Sequence, residues 1–314
     1  MTIGIAATGP DAGLAIFRAL QATEQVAAGS IRGFAAIAVL TRDGKLLRAE
    51  TQRGGSTTLF TAGEMTGVEP PTEVAAAPIA GLISSGPDRV CPLSEFIAAK
   101  PGVGIVTGHR LPNGRTTDGP PYNEASLNAM ARGATPEQAV RHVLAAHPSG
   151  DVGLIAVAAS GGIFAADTER VARRPDVAAA RRKGPGNASV AVLLNAIRPA
   201  ASVAALAADI ALDTMGAAPQ VEGRLTVAAG TPVVAGPRDM VEVDDNLAAL
   251  RIITSDAALA TGRHVCAIVY LGAEVRQDGR LLGRTLVEPN SLVENGRLVS
   301  VNSQALIEIA YTGS

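Results

Sequence analysis

The chain of 314 residues has material for one large domain or two of ordinary size. Hydrophobic residues make up 47% and charged residues 18%, which excludes a disordered chain, and a net charge of −2 without a basic block excludes a nucleic-acid partner. No apolar run is long enough to span a bilayer, no secretion signal opens the chain, and Cys91 and Cys266 give no disulfide framework; a cytoplasmic protein without a membrane partner is expected.

Residues 2–7 form a short apolar strand candidate, and Thr8-Gly9-Pro10-Asp11 turns it into a helix over 12–26. A strand over 34–40, the turn Arg42-Asp43-Gly44-Lys45 and a return strand over 46–51 follow. Residues 54–100 read as irregular. The order strand, helix, strand, turn, strand then recurs over 103–170. It has a strand at 103–107, a helical stretch at 123–147 broken near Gly133, and strands at 153–157 and 163–166 around Ser160-Gly161-Gly162. Within the helical stretch, Thr135-Pro136-Glu137 is a helix start, with Thr as N-cap and Pro in the first turn. This recurrence predicts an internal duplication.

Residues 172–188 read as a charged connector, and 190–212 as a helix interrupted at Arg198-Pro199. From 224 to 309, short Val/Leu/Ile runs and turns predict a mostly β layer, with a hairpin formed by 267–271 and 281–286. Two parts are expected, 1–185 and 186–314, the second packed against the first or separate from it.

The motifs Val106-Thr107-Gly108, Gly133-Ala134-Thr135-Pro136-Glu137-Gln138-Ala139 and Gly153-Leu154-Ile155-Ala156-Val157, with the return strand at 163–168, resemble those of N-terminal nucleophile (Ntn) hydrolases. The likeness is to the asparaginase, isoaspartyl peptidase and glycosylasparaginase group. Thr8 to Leu14 is similar to the first turn and helix of γ-glutamyltranspeptidase relatives. The resemblance implies an α+β fold, an αββα sandwich of Ntn-hydrolase type with duplicated α-β-β units, plus the mostly β C-terminal portion. Two family features are missing. No Thr heads the strand that begins Ser30-Ile31-Arg32-Gly33-Phe34, and the Gly-Arg-Val-Gly-Asp-Ser-Pro segment has only a faint echo at Ala77-Pro78-Ile79-Ala80-Gly81.

An Ntn enzyme uses the α-amine of its own first residue as base. Thr2 meets that need once Met1 is removed, and Ser30 meets it if self-cleavage follows Gly29. A second cluster is Thr107-Gly108-His109-Arg110 at a strand end: His109 as acid or base, Arg110 as a bidentate carboxylate partner, Thr107 as oxyanion donor. Asn113 lies just beyond it. Arg53, Gly54, Gly55, Ser56 and Thr57 follow the equivalent strand of the first unit and could form a backbone nest for an anion. Pseudo-symmetry predicts that these two loops converge. His142, His147, His264, Cys266, Glu242 and Asp244 lack metal-site spacing, so neither a metal nor a cofactor is expected.

The reading is an amidohydrolase acting on a small anionic amide or cyclic amide, in a homo-oligomer. One alternative is a non-catalytic protein on the same scaffold that binds a metabolite or supports an assembly. Another is a ring-opening cyclic amide hydrolase of three repeated units. Such enzymes use Ser–Lys pairs, and Lys45, Lys100 and Lys183 stand in no matching context.

Overall fold

The computed structural model describes residues 1–28, 31–115, 119–216 and 221–313, and it divides into two units, Met1–Ala218 and Pro219–Ser314. In chain order the first unit comprises β1 (Thr2–Thr8), α1 (Ala12–Val26), β2 (Ala35–Leu40), β3 (Leu46–Thr51), α2 (Ser56–Leu59), β4 (Thr61–Ala62), β5 (Met65–Thr66), α3 (Thr72–Ala75) and β6 (Ile79–Ser85). It continues with β7 (Ala98–Lys100), β8 (Gly104–Arg110), α4 (Tyr122–Ala131), α5 (Pro136–Ala146), β9 (Val152–Ala158), β10 (Ile163–Asp167), α6 (Glu169–Ala172), β11 (Val177–Lys183), β12 (Ser189–Asn195) and α7 (Ala200–Met215).

Two large antiparallel sheets result, beside a small β4–β5 ladder. One has the order β11-β12-β1-β6-β2-β3, the other β10-β9-β8-β7. β1, β2, β6 and β12 are buried at every position, as strands covered on both faces must be. Alternate residues then serve different layers. Ile3, Ile5 and Ala7 pack with α1 and α7, while Ala6, Ile83 and Leu193 pack against Ile105, Ile155 and Val157 of the second sheet. The outer face of that sheet, including Val106, Leu154 and Ala156, is covered by α4 and α5. The layers therefore run helices, sheet, sheet, helices. The first sheet approaches the second closely at Gly4, where a Cβ would overlap the carbonyl of Gly108.

Several sequence expectations change. Residues 190–195 belong to strand β12 and not to a helix, because Val-Ala-Val-Leu-Leu is buried on both faces and carries no period to separate the two states. α7 starts only after Pro199. The expected connector contains β11, and the expected irregular region contains the central strand β6. A boundary after residue 185 would cut β12 from β11 and β1, both of which it pairs with. Helix plus hairpin does recur as α1-β2-β3 and α5-β9-β10. The pairing around it differs: β1 and β2 are separated by β6, whereas β8 and β9 are direct neighbours.

The second unit is built of β13 (Val221–Ala228), β14 (Val233–Ala235), β15 (Met240–Val243), β16 (Ala249–Thr254), β17 (Arg263–Ala267), β18 (Glu274–Gln277), β19 (Arg280–Thr285), β20 (Asn290–Glu294), β21 (Arg297–Val301) and β22 (Leu306–Gly313). Its sheets have the orders β13-β22-β19-β18-β15-β16-β14 and β17-β20-β21. The C-terminal hairpin is β18–β19 around Asp278-Gly279, while residues 263–267, earlier than expected, pair with β20. The chain is thus α+β in its first unit and β in its second. No helix among the described residues is long and apolar enough to cross a membrane.

Candidate active site at one end of the paired sheets

Thr2 opens β1, with Ser85 of β6 opposite it on one side and Asn195 of β12 on the other. All three continue the parity of Ala6, Ile83 and Leu193, so their side chains face the layer between the sheets. Each is nearly buried, at 6%, 2% and 4% exposure. Thr2 Oγ1 and Ser85 Oγ share a hydrogen bond of 3.1 Å, Ser85 Oγ donates to the Met1 carbonyl, and Arg89 donates to Ser85 Oγ at 2.9 Å. The Arg89 guanidinium also lies 4.9 Å from the centre of the Phe34 ring.

The second sheet presents His109 and Asp167 to the same layer, in the parity of Ile105 and Ala165. His109 is fully buried, and its Nε2 lies 2.7 Å from Asp167 Oδ1. The bond spans β9 at Gly153, where a Cβ would overlap both groups. A carboxylate only accepts, so Nε2 carries the proton. Nδ1 of His109 and Oδ1 of Asn195 are buried without a hydrogen-bond partner.

The rim of this end is charged. Arg110, in a left-handed backbone conformation, clamps Asp151 with two donors. It holds the Asp151 carboxyl below the usual carboxylate range. Arg174 pairs with Asp176 in the same way. The Met1 amine is pushed below its ordinary value by burial first, then by Arg110 and Arg89. Beside the ends of β11 and β12 opens a cleft of about 500 Å³ lined by Ala28, Pro175, Asp176, Ile197, Arg198 and Pro199, within the range of small-ligand sites.

A family model described as a domain of unknown function (DUF6963) matches residues 2–224. The chain belongs to the DUF6963 family. A second model, a domain of unknown function (DUF7259), matches residues 230–306, and no curated protein matches the chain. The DUF6963 match takes in every side chain of the Thr2 end.

Within this DUF6963 region the nominated residues divide. Thr2, His109 and Arg110 meet at the Thr2 end. Thr107 faces the interior one step deeper, where its hydroxyl donates to the Leu82 carbonyl at 3.1 Å. Ser30 lies outside the described residues. The loop of Arg53, Gly54, Gly55, Ser56 and Thr57 reaches the same end, because β3 finishes opposite the start of β2 and the end of β6. Its anion nest is already filled: the buried Glu24 carboxylate accepts from the Ser56 amide at 3.1 Å and from its hydroxyl at 2.5 Å. A Cβ at Gly55 would overlap that carboxylate. Burial raises the Glu24 carboxyl above the usual range, against the lowering effect of Ser56. Arg53 is paired with Asp88 on the surface, and Asn113 points its amide at Cys91 Sγ, 3.8 Å away.

Ser85, Arg89, Asn195 and Asp167 were not visible as site residues in the sequence. The register of β6 and β12 against β1 brings Ser85 and Asn195 to Thr2, Arg89 reaches Ser85 from the segment after β6, and the sequence of β6 carries no period that marks it as a strand. Among the described residues no cluster of three His, Cys, Asp or Glu could hold a metal.

Proposed function

We propose that the first unit is an N-terminal nucleophile hydrolase of the αββα type, an amidohydrolase acting on a small anionic amide, with Thr2 as nucleophile. The observation that carries this reading is the seat of Thr2. It begins a central strand, its hydroxyl is bonded to Ser85, and it faces the interior beside Arg89. The helix, sheet, sheet, helix order of layers supports the same reading.

Removal of Met1, with anything that precedes it, exposes the Thr2 amine one residue from the Met1 amine, whose ammonium form burial, Arg110 and Arg89 disfavour. Such an amine is a competent base. It takes the Thr2 hydroxyl proton as Oγ1 attacks the amide carbon, and passes it to the departing nitrogen. The C–N bond breaks, an acyl ester on Oγ1 remains, and water then cleaves that ester. Arg89 has no carboxylate partner among the described residues, and beside Ser85 and Thr2 it is the side chain that would hold the substrate's anionic group.

A β-lactone probe tests this without knowledge of the substrate, since a reactive Thr2 opens the ring and keeps the acyl group. Intact mass is expected to show a chain starting at Thr2, and the adduct to sit on the N-terminal peptide. Labelling that persists in Thr2→Ala, or a labelled chain that retains Met1, overturns the proposal.

A further inference from the structure

Two buried side-chain atoms at the Thr2 end, Asn195 Oδ1 and His109 Nδ1, lack partners. Asn195 Oδ1 accepts in every protonation state. His109 Nδ1 accepts in the neutral ring, because Nε2 holds the proton against Asp167. Each unmet acceptor of this kind carries a desolvation cost that a bound donor would remove. His109 and Asn195 come from opposite sheets and face one layer, at the end where the Thr2 hydroxyl and Arg89 also lie. The bond from His109 to Asp167 is built in, since Gly153 supplies the space for it.

We infer that this end of the inter-sheet layer recognises a ligand group rich in N–H donors, an unsubstituted carboxamide or a primary ammonium, held by Nδ1 of His109 and Oδ1 of Asn195. The inference deepens the amidohydrolase reading and rests on it for which bond is broken. His109 and Asn195 are then specificity-determining residues: they favour a substrate that presents N–H at this point over an ester or a fully substituted amide of equal size. Asp167, which fixes the His109 tautomer through Nε2, is the positioning residue.

The test is titration of histidine-¹⁵N-labelled protein in mildly alkaline buffer, following Nδ1 of His109. The chain has four histidines, so His109→Asn assigns the signal. Succinamate and glutaramate carry a carboxylate and a primary amide, β-alanine a carboxylate and an ammonium, and monomethyl succinate a carboxylate with no N–H donor. The expected result is an unprotonated Nδ1 in the free protein and a saturable upfield shift with an amide or with β-alanine. Which of the two shifts it identifies the donor. The methyl ester should leave it unmoved. Asn195→Leu should weaken the successful probe at least tenfold, and Asn195→Asp, which keeps an acceptor, should restore part of that loss.

A protonated Nδ1 in the free protein, no shift with any donor probe, or an equal shift with the ester overturns the inference. Thr2→Ala separates it from the nucleophile proposal. A shift retained in Thr2→Ala, alongside labelling or turnover that does not need Thr2, leaves the recognition site standing and removes the nucleophile. Thr2-dependent chemistry without the His109 shift does the reverse.

Discussion

Gly153 and His109 occupy one position between them: the imidazole lies over the glycine of the neighbouring strand, and a side chain there would displace it from Asp167. Glycine is required here for space, near the start of β9, although within a strand it otherwise weakens pairing. Gly153→Ala is expected to break the His109–Asp167 bond and leave a buried carboxylate and a buried ring nitrogen unmet, at a cost of about 2–3 kcal/mol. Urea unfolding with an unchanged m value measures it. A variant as stable as the parent would mean that β9 can shift away from β8 without loss.

The Gly-Leu-Ile-Ala-Val run was legible as a strand, yet nothing in it shows that its glycine makes room for a histidine more than forty residues earlier. What could be read from the chain was local: α1, β3 and the α5 start follow caps, turns and apolar periods. What could not was non-local pairing. β6 and β12 carry small or continuously apolar residues that give no two-residue or helical period, and they place Ser85 and Asn195 beside Thr2. The Ser56 hydroxyl and amide are visible in the sequence as donors, but the carboxylate that they hold, Glu24, lies on a helix whose other positions give no sign of it.

The locally legible part has its own test. The Thr135 hydroxyl accepts from the Gln138 backbone amide, and the Gln138 Oε1 accepts from the Thr135 backbone amide, a complete capping box. Thr135→Ala is expected to cost about 1 kcal/mol, and Thr135→Asn to keep most of the stability. Thermal melts of the three chains decide it. Equal melting temperatures would show that packing of Val140, Val143 and Leu144 alone sets the helix start.

Glu24 gives a pH dependence with a definite sign. Its folded carboxyl is raised above the unfolded value of 4.5, chiefly by burial. The folded state therefore holds the proton more tightly, and this contribution is complete below the unfolded value and lost as pH rises through the folded one. Glu24→Gln stays uncharged and can still accept from Ser56, so its stability relative to the parent should improve from acid toward neutral pH. Glu24→Ala instead leaves the buried Ser56 amide unmet at every pH and should cost about 2–3 kcal/mol. Denaturation curves across that range check both; a Gln variant that loses ground as pH rises would reverse the sign.

Arg89 and Arg110 predict opposite divisions between binding and stability. Arg110 is locked to Asp151, with both side chains mostly covered. Arg110→Gln should therefore destabilise the fold, because it strands a partly buried carboxylate. Among the described residues the Arg89 guanidinium donates to the Ser85 hydroxyl and lies over the Phe34 ring, with no carboxylate partner. Arg89→Gln should leave the melting temperature nearly unchanged while raising KM for a carboxylate-bearing amide about 10- to 100-fold, a loss of about 1.4–2.7 kcal/mol. Its kcat should fall much less, because the lost contact serves the ground state and the transition state alike. Arg89→Lys should recover only part of the binding, since an ammonium cannot match a carboxylate with two parallel donors. Neutral amides of the same length should be indifferent to all Arg89 variants. If they weaken as much as the anionic ones, Arg89 supports Ser85 and Thr2 and is not the anion partner.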